Sequence, residues 1–313
     1  MVVPGGVDRS GTERVIPILL AMIERVAAEH ELHVFALRQE DSPAAWPLLG
    51  ATVHNAGTRR PSLRALRDVL AEHRRAPFDV LHGVWVSPGL VAGAAGRLLR
   101  RPVLLHLVGG DVAALPEIGY GLQRSRAGRL RLRAAARLAS HVTANSGYAV
   151  KLAAERGIAA ERVPYGVSVR DWPALAPRRR EAAALGLGER VRFHGFMPQR
   201  ALRPWMERAD VLLVTSRHEC GPMVAMEAAL AGVPTVGTRV GLLAEWVPDA
   251  AVPVPTADPT ALADAVAALL GEEDRRLRLA DAAQRRALND DADHAAGRVL
   301  DIYRTLTHRG DRT

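Results

Sequence analysis

Cysteine, lysine and aromatic residues are all scarce in this chain of 313 residues. Cys220 is its single cysteine, which excludes an internal disulfide framework and a cysteine-based metal cluster. Lys151 is its single lysine, so the 42 basic residues are otherwise arginines; against 34 acidic residues they give a net charge of +8. The arginines are spread over the whole sequence, which reads first as solvated charge. Phe, Trp and Tyr together make up 4% of residues. There is no basic stripe interleaved with aromatics and no recognition motif, so nucleic acid is not an expected partner. Long apolar runs are also missing. The most apolar stretch, 80–96, is broken by His82, Ser87 and Pro88, which excludes a membrane span and predicts a buried strand, a turn at Ser87–Pro88 and a small-residue helix. The chain opens on a Pro-Gly-Gly turn without a basic, apolar leader; a cytoplasmic protein is expected, with peripheral contact at the inner face of a membrane still allowed.

What is present is an ordinary globular composition, 48% hydrophobic and 24% charged, on a length that predicts about two domains. Short apolar runs alternate with helical patterns nearly from end to end. Strands are expected at Val2–Val3, 32–37, 51–53, 79–83, 102–108, 141–143 and 162–163, with helices near 12–29, 63–73 (capped by Ser62), 122–138 and 149–156. After a proline-rich stretch at 164–177 the pattern restarts, with strands at 191–195, 211–214, 234–238 and 251–254 and helices between and beyond them. Such alternation means α/β architecture with parallel sheets covered on both faces. The expected division is 1–165, 166–290 and a last helical segment, 291–313, packing back on the first domain.

In open parallel sheets ligands sit beyond the carboxyl ends of strands, beside helix N-termini. Three segments fit. Pro4–Gly5–Gly6 and Val108–Gly109–Gly110–Asp111 each follow a strand and allow close backbone approach, although an ordinary strand-to-helix turn has the same look. The third is Ser216 to Ala228. Pro222 suits a helix start, Glu219 precedes it, and Glu227 lies about one and a half turns inside. A carboxylate there can accept two hydrogen bonds from a vicinal diol such as a ribose. The same spacing also fits a capping Glu219 and a surface Glu227.

The run ECGPMVAMEAALAGVPTVGTRVG, with its two glutamates eight positions apart, resembles the E-x(7)-E motif of retaining, nucleotide-sugar-dependent glycosyltransferases of the GT-B fold, the family 4-like group. PGGVDRSG resembles that family's first glycine loop, VPYGVS its interdomain segment, residues 189–216 the stretch before the motif, and DPTALADAVAALL a later helix. The resemblance implies two Rossmann-like lobes facing a cleft, and transfer of a hexosyl group from a nucleoside diphosphate sugar to a hydroxyl of a glycan, lipid or small-molecule acceptor, with retention. It implies no cofactor and no metal. By it, Glu227 would hold the donor ribose and Glu219 would act at the donor sugar. The backbone at Gly221, Pro222 and Met223 would meet sugar and phosphates, and Gly5 and Gly6 would line the opposite wall. Arg9, Gly109, Gly110 and Asp111 fall on the acceptor side.

Two departures stand out. The strand–helix–strand unit that normally follows the linker, with an arginine and a lysine gripping the diphosphate, is missing between Arg178–Arg180 and 189, so the second lobe reads as reduced. Arg217 and Arg239 are the candidates to replace that grip. A histidine usual beside the second glycine loop is replaced by Val108; His106, two positions earlier, is either its catalytic stand-in or a satisfied core histidine. The alternative reading is a non-catalytic or impaired nucleotide-sugar-binding homologue. His218 and Cys220 suggest no chemistry of their own. Arg126, Arg129, Arg133 and Arg137 share one helical face, which is either solvated or a dock for anionic lipid or acceptor.

Overall fold

The computed structural model describes residues 1–174, 195 and 197–310. Two compact units emerge, Met1–Tyr165 with Ala292–Thr313, and Gly166–Asp291.

The first unit is an eight-stranded sheet. β1 (Val2–Val3) lies at its centre, paired in parallel with β2 (His33–Ala36) and β5 (Leu81–Val84). β2 continues outward to β4 (Ala51–Asn55) and to β3 (Ala44–Leu48) at one edge. On the other side β5 pairs with β6 (Val103–Leu107), β6 with β7 (His141–Ala144), and β7 with β8 (Glu161–Arg162). All pairs are parallel except β3–β4, which makes the sheet interior apolar on both faces: every residue of β5 and β6 is buried. Four helices cover it: α1 (Pro17–Glu29), α2 (Pro61–Arg75), α3 (Val86–Leu99) and α4 (Arg126–Leu138). A fifth, α5 (Gly147–Ala154), follows β7.

The second unit holds, among the described residues, a parallel sheet of three strands in the order β11 (Ala251–Val254), β10 (Thr235–Thr238), β9 (Leu212–Val214). Around it lie α6 (Gln199–Met206), α7 (Met223–Leu230), α8 (Leu242–Trp246), α9 (Pro259–Gly271) and α10 (Glu273–Asn289). Its core joins Val214, Met226, Leu230, Leu243, Trp246 and the linker residue Trp172. The chain then returns to the first unit as α11 (Ala292–Gly310). Tyr303 Oη meets the buried His82 Nδ1 at 2.7 Å, Arg304 pairs with Glu29 at 3.0 Å, and Arg25 with Asp293.

Four expectations need correction. α1 starts at Pro17, not near 12, because residues 8–16 form a polar loop knotted around Asp8. Ser62 does not cap α2: Arg60, in left-handed conformation, precedes Pro61 at the first helical position. No turn occurs at Ser87–Pro88. Trp85 takes the positive φ of 72°, and Pro88 sits in the first turn of α3, where its missing N–H leaves no bond unmade. The long arginine helix begins at 126 behind the cap Ser125, after a separate 3-10 turn at Leu122–Arg124. Strand β3 and helix α8 were not anticipated. The expected strand at 191–195 and Arg178–Arg180 lie outside the described residues, Gly195 excepted, which is not in a strand.

Candidate functional site

In the second unit, β9 and β10 run in parallel register, so the loops after Val214 and after Thr238 leave the same, carboxyl end of the sheet. Thr238 Oγ1 donates to the Ser216 carbonyl at 2.6 Å and ties the two loops together. Ser216 Oγ in turn donates to Glu219 Oε1 at 2.8 Å. Glu219 is thereby held by the loop and does not cap α7, whose first residue follows Pro222 with no side-chain cap. Gly241, at φ 52°, lets the loop after β10 approach: a Cβ there would stand 2.5 Å from the Glu219 carbonyl oxygen. Gly221, Pro222 and Met223 turn the chain from this loop into α7, whose uncapped first turn leaves N–H groups without intrahelical partners.

Glu227 is not a surface charge. It is buried on α7, its carboxylate accepts from Gln199 Nε2, and its carbonyl accepts from Trp172 Nε1 at 2.8 Å. Burial raises its pKa, and the Gln199 bond partly opposes that. Arg217 and Arg239 stand on the two linked loops. Both are exposed, and neither has a carboxylate partner among the described residues. A buried acceptor for hydroxyls, a loop carboxylate, an open helix start and two guanidinium groups without carboxylate partners among the described residues thus lie on the segments that follow the carboxyl ends of β9 and β10. That set can take a polyhydroxylated ligand carrying negative charge. Gln199, Trp172 and Ser216 were not anticipated as its supports. Ser216 ends the stretch before the motif, and Trp172 lies in the proline-rich stretch at 164–177. His218 and Cys220 sit side by side, Nε2 to Sγ 3.7 Å, with Cys220 buried.

In the first unit the loop after β1 is occupied by its own protein. Gly6 and Val7 N–H both donate to Gln39 Oε1, at 2.7 and 2.9 Å. The glycines are required by packing: a Cβ at Gly5 would lie 2.8 Å from the Arg38 carbonyl oxygen, and one at Gly6 2.5 Å from Ile16 Cγ1. Arg9 forms a two-pronged pair with Glu40, at 2.6 and 2.8 Å, and lies 4.8 Å over the Trp46 ring.

Beyond β6, Asp111 is buried and bridges two strand ends. Its oxygens accept from Val86 N at 3.2 Å and Val108 N at 3.1 Å. Burial raises its pKa to about 7 against those two bonds. Gly109 and Gly110 form the intervening 3-10 turn, both with the Tyr120 hydroxyl 3.3 Å from where a Cβ would be. His106 is buried, with Nδ1 2.8 Å from Thr143 Oγ1 and its ring against Tyr165. Burial lowers its pKa to about 3, so it is neutral at physiological pH. Among the described residues no group of three or more His, Cys, Asp or Glu could hold a metal ion. No helix of the described residues is long and apolar enough to cross a membrane.

A model of the "Glycosyl transferase 4-like domain" matches residues 15–166, and one of "Glycosyl transferases group 1" matches residues 150–286. The chain is 39% identical over 144 residues to a D-inositol 3-phosphate glycosyltransferase of Xylanimonas cellulosilytica, a match covering 45% of this chain and 33% of that protein. The matched stretch therefore spans about a third of that relative. Among solved structures, sucrose-phosphate synthase from Thermosynechococcus elongatus superposes with TM-score 0.78 at 17% identity, covering 98% of each chain. Anabaena HepE, in complex with UDP and glucose, gives 0.73 at 17%, covering 97% and 99%. The lobes are those of the GT-B architecture.

Proposed function

From a chain that carries a glycosyl transferase 4-like domain followed by a group 1 glycosyl transferase domain, we propose a cytoplasmic, retaining hexosyltransferase. It moves a hexosyl group from the diphosphate oxygen of a nucleoside diphosphate sugar to a hydroxyl of a glycan, lipid or small-molecule acceptor, and releases the nucleoside diphosphate. No metal or cofactor takes part. The observation that carries this reading is Glu227, a buried carboxylate on the helix that opens at Gly221–Pro222, oriented by Gln199. It accepts the ribose hydroxyls. Glu219, fixed by Ser216, acts at the donor sugar. Arg217 and Arg239 neutralise the diphosphate and stabilise charge on the leaving group, the task left by the missing basic segment. Gly5, Gly6, Arg9, Gly109, Gly110 and Asp111 belong to the acceptor-side lobe; Arg9 reaches an anionic acceptor only by releasing Glu40. His106 is assigned a supporting place behind the Gly109 turn. UDP is the first nucleotide to test, since it occupies HepE.

Glu227→Ala should weaken UDP binding by roughly 1.5–3 kcal/mol, about ten- to 150-fold, as expected for a hydrogen bond to a charged group. Glu227→Gln keeps the shape and one carbonyl acceptor, and should fall between the two. Titration calorimetry reads both, with thermal unfolding as the control for folding. Equal affinity in folded variants would remove Glu227 from the site. The second reading, an impaired binding homologue, is favoured by the missing basic segment alone; UDP binding without turnover on any hexose donor would establish it.

A further inference from the structure

We propose that the outer face of α4 docks on an anionic lipid bilayer. Arg126, Leu130, Arg133 and Arg137 follow each other at four, three and four residues, which puts them on one face, and all are exposed. Gly128, Leu132 and Ala135 hold the opposite face against the unit. Arg129 flanks the outer face on one side, and Arg131, also exposed, lies farther round the helix. Leu130, 64% exposed, has Arg126 four positions before it and Arg133 three positions after it on this face.

The charge on this face is uncompensated. No Asp or Glu occurs between Glu117 and Glu155 in the sequence. Arg126, Arg131, Arg133 and Arg137 have no carboxylate partner among the described residues, and Arg129 spends Nη1 on the Gln123 carbonyl at 2.9 Å. Elsewhere some exposed helix arginines pair within the helix, as Arg285 does with Asp281 and Arg304 with Asp301, while others such as Arg67 and Arg278 stand singly among the described residues; α4 differs in gathering its arginines on one helix with no acid. Within α4 the like charges at three and four residues repel, and Arg126 and Arg129 occupy the positive end of the helix dipole with no acid in the first turn. An external anionic surface relieves both costs. A bilayer fits better than a soluble polyanion because of Leu130: arginine stems spread along the interface with their heads at the phosphates, and the leucine enters the acyl boundary.

The test is co-sedimentation of the full chain with vesicles of equal phosphatidylcholine and phosphatidylglycerol, and with phosphatidylcholine alone, at 0.15 M salt. The parent should bind the anionic vesicles only. Joint replacement of Arg126, Arg129, Arg133 and Arg137 by Gln should lower partitioning on the order of a hundredfold, with a cooperative unfolding transition retained and UDP affinity unchanged. Leu130→Ser should lower vesicle partitioning several-fold and leave binding to soluble polyphosphate unchanged. Failure of the parent to bind anionic vesicles, or equal binding by the fourfold variant, would overturn the proposal. So would vesicle binding that ignores Leu130, since the face would then read charge alone.

Discussion

Replacing Arg217 and Arg239 together by alanine should lower affinity for UDP by about a hundredfold to ten-thousandfold while leaving uridine binding nearly unchanged. Each contact of a guanidinium with a phosphate is worth roughly 1.5–3 kcal/mol, so two give about 3–6 kcal/mol if additive. The parent should prefer UDP over uridine by tenfold or more for the same reason. The placement supports this. The two loops leave adjacent ends of β9 and β10 and are fastened to each other through Thr238 and Ser216. Both side chains are exposed and uncommitted to carboxylates among the described residues, so little is lost from the fold when they are removed. Calorimetric titration of parent and double variant with the two ligands reads the effect. Similar affinities of the parent for UDP and uridine would show that Arg217 and Arg239 do not grip the diphosphate, and would favour the impaired homologue.

The second large effect is on stability. Asp111 has its folded-state pKa raised from 3.8 to about 7, burial being the cause. Between those values the folded protein binds a proton that the unfolded chain has released, so stability falls as pH rises. The contribution is complete below about pH 4 and is lost as pH rises through 7, at most roughly 4 kcal/mol for a shift of about three units. Asp111→Asn carries no such proton. It can still accept from one of Val86 N and Val108 N, and so starts less stable at pH 4. Urea unfolding of both proteins from pH 4 to 8 should show the parent losing its advantage across that range. His82 and His106, also buried, titrate in both proteins and cancel in the difference. Parallel pH profiles would show that Asp111 is ionised when folded.

The sheet interiors were legible because parallel strands buried on both faces leave mainly apolar runs, as in VLLHL of β6, where only His106 interrupts. β3 was not. It carries Pro47 and follows Pro43, and its hairpin to β4 turns on Leu49–Gly50, both at positive φ, without the asparagine that normally announces such a turn. Pro47 is tolerated because β3 is an edge strand. Glu219 and Glu227 could be found from their spacing and its family resemblance. The burial of Glu227 could not, since Gln199 and Trp172, which fix it, lie 28 and 55 positions away. Nor could the engagement of the Gly6 and Val7 N–H groups, since Gln39 arrives on the loop after β2, a neighbour only once the sheet has formed. Local patterns announce elements; pairing across the sheet decides which polar groups are already spent.

The most direct measurement is incubation of the purified chain with a panel of nucleoside diphosphate hexoses and candidate hydroxyl acceptors, following nucleoside diphosphate release and the anomeric proton of the product by NMR. Release from at least one donor, an acceptor glycoside with the donor's own anomeric configuration, and loss of both in Glu219→Ala are the predicted results. An inverted product, or turnover undiminished in folded Glu219→Ala and Glu227→Ala, would contradict the assignment of these two carboxylates to a retaining transfer.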